Sequence, residues 1–267
     1  MSIPVAVAGA AGRMGRTVVA AVHRDPELHL AAAVDVAGAG EDAGTLAGVG
    51  PLQIPIVTHL APALQAHGAQ VLVDFTRAEA AFENARTALS LGVSPVIGTT
   101  GMSGEQVEVL RTLAAQNGVG AFMAPNFAIG AVLMMLFARQ AARHMPEVEV
   151  IEFHGEQKVD APSGTAMRTL EFILEGRGQR TAVRPAREEF KLEGARGGEH
   201  QGIRVHSVRL PGYVAHQECL FGGQGQTLTI RHDSTDRGSF MPGVVLACKQ
   251  VRRLPGLVIG LEHLLEL

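Results

Sequence analysis

The thirteen residues from His154 to Ala166, HGEQKVDAPSGTA, hold an imidazole, an ammonium, two carboxylates and the start of a helix. Ser163 has the character of an N-cap: Pro162 precedes it, Leu170, Ile173 and Leu174 follow at helical spacing, and Gly176 reads as a stop. The N–H groups of Gly164, Thr165 and Ala166 then lack intrahelical acceptors and, with the positive end of the helix dipole, make a site suited to a carboxylate. The same residues would also serve a cap with no role beyond its helix. His154 and Lys158 fall on the expected loop between a strand over 147–153 and that helix, so both face an anion bound there. A molecule that accepts hydride becomes electron-rich and needs a proton from an adjacent acid, a role suited to His or Lys. Asp160 fits a loop-fixing or cation-pairing part. A lone histidine is usually structural and a lone lysine usually solvated; their shared loop is what argues for function.

A hydride needs a donor, and the N-terminus offers a place for one. GAAGRMG, comprising Gly9, Ala10, Ala11, Gly12, Arg13, Met14 and Gly15, follows the first apolar run and opens the first helix, where absent side chains let the backbone approach a pyrophosphate. The G-x-x-G-x-x-G spacing alone is a weak signal. Asp35 strengthens it, ending the run LAAAVD about 20 residues further on, where a dinucleotide site needs a carboxylate for the adenosine ribose hydroxyls. Val36 follows in place of an arginine for a 2′-phosphate, so NADH is favoured and NADPH remains possible. Arg13 and Arg77 either sit near the adenosine end and soften that preference or are solvated. Gly98, Thr99, Thr100 and Gly101 leave the strand SPVI, and Ala124, Pro125, Asn126 and Phe127 leave the run before the second domain. Each segment could be only a turn; together they would line the nicotinamide end.

The elements that must position these groups alternate along the first half: IPVAVAG, a helix through TVVAAVH, LHLAAAVD, VLVDFT, AEAAFENARTALSLG, SPVIGTTG, then EQVEVLRTLAAQNG after the capping box Ser103-Gly104-Glu105-Gln106. Strand and helix in alternation predict a Rossmann-like, doubly wound parallel sheet in an α/β protein. The Ala/Gly-rich segment 37–50 is expected to be a mobile loop. After Met145 the pattern changes to EVEVIEF, GIRVHSVRL, VAHQECLF and QTLTIRHD, which predicts an antiparallel meander in a second α+β domain. FMPGVVLACKQ returns to helix with Pro242 in its first turn. The expected division is a dinucleotide-binding domain over 1–126 plus 238–267 and a substrate-binding and oligomerisation domain over 127–237.

A chain of 267 residues is long enough for two such cores. A net charge of −3 and a pI near 6.4 give no electrostatic case for nucleic acid or an anionic membrane as partner. Cys219 and Cys248 have no C-x-x-C spacing, so reduced thiols, no structural zinc or other metal, and a cytoplasmic location are expected. The longest apolar run, Ala128 to Ala138, is well short of the ~18 residues of a membrane span.

KVDAPSGTA, with a histidine four residues before its lysine, resembles the signature of the 4-hydroxy-tetrahydrodipicolinate (dihydrodipicolinate) reductase family. VAVAGAAGRMGR, VDFTR, VIGTTG, APNFAIG, VHSVRLPGYVAHQ and RHDSTDRGSFMPG extend the resemblance over nearly the whole chain. It implies a homotetrameric enzyme of lysine and diaminopimelate biosynthesis that reduces a cyclic imine dicarboxylate with NAD(P)H. By that pattern His154 is proton donor/acceptor, Lys158 is proton donor, and Gly164 and Thr165 hold a substrate carboxylate. Gly9 to Met14, Asp35, Gly98 to Thr100 and Ala124 to Phe127 would hold the cofactor. One departure stands out: the family usually carries a second histidine directly after the first, whereas this chain has Gly155-Glu156-Gln157, which removes an imidazole and adds an acid. That departure keeps open a related NAD-dependent dehydrogenase for another amino-acid-derived imine or aldehyde. A non-catalytic NADH sensor is a further alternative, but it would have no need of His154 and Lys158.

Overall fold

The computed structural model describes residues 2–180 and 189–266 and divides into two compact units, Met1–Phe127 with Phe240–Leu267, and Ala128–Ser239. In the first unit the apolar runs form β1 (Ile3–Ala8), β2 (Leu28–Val34), β3 (Ile56–Val57), β4 (Val71–Asp74), β5 (Ser94–Ile97) and β6 (Ala121–Met123). Between them lie α1 (Arg13–Arg24), α2 (Ala43–Leu46), α3 (Leu60–Ala66), α4 (Ala78–Ser90) and α5 (Gly104–Asn117). All pairings in this sheet are parallel. Val5, Val7, Val71, Val73 and Val96 are fully buried, as expected for strands covered on both faces. The helix α5 starts where its sequence says: Ser103 accepts from Gln106 N, and the Gln106 side chain closes the capping box on Ser103 N.

Segment 37–50 is held by more than chain connectivity. The Asp42 carboxylate accepts from the backbone N–H groups of Thr45, Leu52 and Ile54, while Gly40 and Ile56 exchange bonds with Ile56 and Glu41 carbonyls. These donors, led by Thr45, outweigh desolvation and lower the Asp42 carboxyl to about 2. The expected mobile loop is therefore an acid-centred turn that contains α2.

The second unit begins with α6 (Ile129–Ala142), followed by β7 (Glu147–His154), α7 (Gly164–Arg177), β8 (Gly198–His200), β9 (Ile203–Arg209), β10 (Ala215–Gly223) and β11 (Gln226–Ser234). Its sheet order is β11-β10-β7-β9-β8, and β7 runs parallel to β9. This corrects the expected meander. A parallel pair needs a long crossover, and α7 supplies it, which leaves β7 in the centre with β10 antiparallel on its other side. Gly176 is not the helix stop; Gly178 is. A Cβ on Gly176 would lie 2.0 Å from the Arg139 carbonyl oxygen, so the missing side chain lets α7 pack directly on α6. The chain then returns to the first unit with α8 (Met241–Gln250), which has Pro242 in its first turn, and β12 (Leu257–Ile259) on the edge beside β6. No described helix is long and apolar enough to cross a membrane.

Candidate active site

The first unit's sheet runs β12-β6-β5-β4-β1-β2-β3, so the chain order reverses between β1 and β4. Loops leaving two such strands diverge and open a crevice at their carboxyl ends. A cavity of about 870 Å³ lies there, lined by Gly9, Ala11, Gly12, Asp35, Val36 and Arg77 among others. Gly9 takes φ +78°, and its N–H and that of Ala10 both donate to the Val34 carbonyl. Gly12 N donates to Gly9 O, and Ala11 N donates to Asp35 Oδ2 at 3.0 Å. The turn thus uses its own N–H groups to hold its shape. Gly12 caps α1 without a side chain, which leaves the first-turn N–H groups of Arg13 and Met14 with no intrahelical acceptor. A helix start of this kind suits a phosphate group, and Asp35, whose Oδ1 also accepts from Ala37 N, lines the same cavity. Val36 is 89% exposed and uncharged beside it. Arg77 lines the cavity, whereas Arg13 is exposed and outside that lining.

Gly98 to Thr100 and Ala124 to Phe127 leave β5 and β6 at the same carboxyl edge but do not line this cavity. They are tied to it through residues that sequence reasoning missed. Asp74, 0% exposed at the end of β4, accepts from Thr76 N, Thr76 Oγ1, Asn84 Nδ2 and Thr99 Oγ1. One buried carboxylate therefore joins the β4 loop, α4 and the β5 loop. Phe127 packs its ring 5.7 Å from Phe75 and 5.8 Å from Phe122, fixing the β6 loop to the β4 loop. Thr58 and His59 also line the cavity; they flank the two-residue β3 and a helix of seven residues, too short for a periodic signal.

The second constellation lies in the other unit. His154 is the last residue of β7 and not part of the loop, as had been expected; it pairs with Ala215 of β10 and Arg209 of β9. Its ring is thereby set by a central strand. Glu152, two residues earlier on the same face and 0% exposed, takes Ser163 N, Ser207 Oγ and Arg209 Nη2 on Oε1 at 3.1, 2.6 and 2.8 Å. Glu152 Oε2 lies 3.0 Å from His154 Nδ1. Burial pushes the Glu152 carboxyl up, but His154, Ser163, Ser207 and Arg209 together overcome it and hold the group well below the usual carboxylate range. Arg209 continues outward to the carbonyls of Lys158 and Asp160 at 3.3 and 2.7 Å, bracing that loop. The Lys158 ammonium pairs with Asp160 and holds its carboxyl below the ordinary range. Ser163 caps α7 as the sequence predicts, and its hydroxyl takes the Ala166 N–H at 3.1 Å. Ala166 is thus withdrawn from the expected anion site, which contracts to the exposed Gly164 and to Thr165. Glu156 is exposed.

Residues 3–127 match the family model described as dihydrodipicolinate reductase, N-terminus, and residues 130–265 match its C-terminus counterpart. The chain belongs to the dihydrodipicolinate reductase family. A 4-hydroxy-tetrahydrodipicolinate reductase of Moorella thermoacetica is 52% identical over 265 residues, covering 99% of this chain and 98% of that protein. One from Geobacillus kaustophilus is 50% identical over 266 residues, covering 100% of each. The solved dipicolinate-bound dihydrodipicolinate reductase from Paenisporosarcina sp. TG-14 is 44% identical, with a TM-score of 0.89 over 99% of this chain and 100% of that one. The chain combines the expected parallel Rossmann-like sheet with a second sheet that is mixed.

Proposed function

We propose that this chain reduces 4-hydroxy-tetrahydrodipicolinate to tetrahydrodipicolinate with NAD(P)H in lysine and diaminopimelate biosynthesis. The observation that carries the reading is the cluster around Glu152, which brings His154, the Lys158 loop and the start of α7 together in one unit. Bound nicotinamide supplies the hydride. In each turnover a ring C–OH becomes C–H, and the hydroxyl leaves as water after consuming one proton. Gly164 and Thr165, at the start of α7, hold one substrate carboxylate through backbone donors and the helix dipole. Lys158 donates a proton, and His154 takes up or releases one as the ring changes its electron count. A substrate carboxylate competes with Asp160 for the Lys158 ammonium and frees it for that task.

The cofactor set is Gly9, Ala10, Ala11, Gly12, Arg13, Met14 and Asp35 at the pyrophosphate and ribose, with Gly98, Thr99, Thr100, Ala124, Pro125, Asn126 and Phe127 toward the nicotinamide. Within it, Gly9 to Gly12 shape the turn while Arg13 and Met14 offer N–H groups to the phosphates. NADH should be used at least as well as NADPH. A second negative charge from a 2′-phosphate would face the Asp35 carboxylate, and Val36 offers it nothing.

The test couples the chain to a synthase that makes the unstable cyclic substrate in situ from pyruvate and aspartate semialdehyde. Synthase-dependent oxidation of both dinucleotides, with NADH at least equal in kcat/KM, is expected. Bound NADH without oxidation would move the assignment to another imine, and a strong NADPH preference would overturn the Asp35 argument. The unit comprising residues 128–239 is the substrate and oligomerisation domain in this reading, and the working form is a homotetramer. Light scattering behind a sizing column should give four times the 28.1 kDa chain mass, and a monomer peak would refute it.

A further inference from the structure

We propose that Glu152 is the positioning residue of this site. Its buried carboxylate orients His154 with the proton on Nδ1 and Nε2 left to exchange protons, while through Arg209 and Ser163 it keeps the Lys158 loop and the start of α7 in register with that ring. The proposal rests on the reductase reading.

The argument begins with the strand period. Val148, Val150, Glu152 and His154 alternate onto one face of β7, and the first three of these are buried. An ionised carboxylate in a buried position is costly unless each oxygen is matched. Oε1 is matched three times over, by Ser163 N, Ser207 Oγ and Arg209 Nη2. Anchoring the fold would need nothing more. Oε2 faces His154 Nδ1 at 3.0 Å, and among the described residues neither of these two buried atoms has a hydrogen bond of good geometry, so each is the nearest polar group the other has. A bare Nδ1 would set two lone pairs against each other in a site shielded from water. The proton therefore lies on Nδ1, and Nε2 is the ring's working atom.

The charged groups around the pair are few. β9 contributes Arg209, and the loop contributes Lys158 and Asp160. β10 presents the uncharged Gln217 and Ala215 opposite Glu152 and His154, and the cap of α7 contributes the Ser163 N–H.

Glu152→Gln tests this with almost no change in shape. Three donors converge on Oε1, so the amide oxygen takes that place and the NH2 group replaces Oε2. It then donates to Nδ1, which must give up its proton, and the tautomer inverts. We expect 15N spectra of histidine-labelled wild type at about pH 9, where an ordinary imidazole is neutral, to show His154 protonated on Nδ1. The signal is assigned by its loss in His154→Asn. In Glu152→Gln the proton should appear on Nε2 and kcat should fall about 10- to 100-fold, while NADH affinity stays unchanged. An Nε2–H tautomer in the wild type overturns the proposal, and so does a folded Glu152→Gln with wild-type kcat. The wild-type spectrum decides the tautomer even if the variant does not fold. Because it needs no substrate, it also stands apart from the reductase reading, which fails only if the wild type leaves the in situ substrate unreduced.

Discussion

Lys158→Ala is expected to lower kcat by about a thousandfold while NADH affinity, read by fluorescence titration, changes less than about twofold. The size follows from the role: a positioned proton donor is worth on the order of 10²–10⁴ in rate. The selectivity follows from the architecture. The Lys158 backbone is held by Arg209 through the carbonyls of Lys158 and Asp160, so truncation removes the ammonium and leaves its loop braced. The cavity proposed for the dinucleotide is lined only by first-unit residues, whereas Lys158 and its brace belong to the second unit. Substrate KM should also rise, because the ammonium attracts a dicarboxylate before it donates to it. A variant that turns over at the wild-type rate would remove Lys158 from the mechanism.

Gly15→Ala should be the most damaging single methyl group in the first unit. The new Cβ would sit 1.9 Å from Gly9 O and 2.8 Å from Ala10 Cα. Neither atom can retreat, since Gly9 N and Ala10 N are both bonded to Val34 O and Gly9 O receives Gly12 N. The start of α1 must move outward, and with it the N–H groups offered to a pyrophosphate. Overpacking of this kind costs about 1–3 kcal/mol, and a contact this short belongs at the upper end. The expected result is a clearly lowered melting temperature together with NADH affinity weakened at least about tenfold. Gly104→Ala is the control, because a Cβ there meets nothing within 4 Å. Wild-type melting and wild-type NADH binding in Gly15→Ala would show that the turn is looser than its contacts imply.

The parts of the site that could be read from sequence are those with a local cause. Ser103 and Ser163 announce their helices because the capping bond spans three residues. GAAGRMG and Asp35 are legible because a parallel sheet puts the end of the second strand beside the first turn. The parts that could not be read depend on pairings distant in the chain. Glu152 looks like one more acid in EVEVIEF until Arg209, 57 residues away, is beside it. Asp74 reads as the end of VLVD until Thr99 joins it. The parallel pairing of β7 with β9 has no signature in either strand, and this is why a meander was expected. It also explains the misreading of His154: strand EVEVIEF extends one residue further because β9 and β10 both pair with that residue.

The β7–α7–β9 crossover has a consequence for how this enzyme can change over time. His154, Lys158 and Gly164 all lie on the first half of one supersecondary unit, bracketed by a central strand and a helix that are both anchored in the core. The exposed Glu156 and Gln157 hang between those two posts like a slack span between piers. Their composition can change without shifting either post, so substitutions there should leave His154 and the start of α7 where they are.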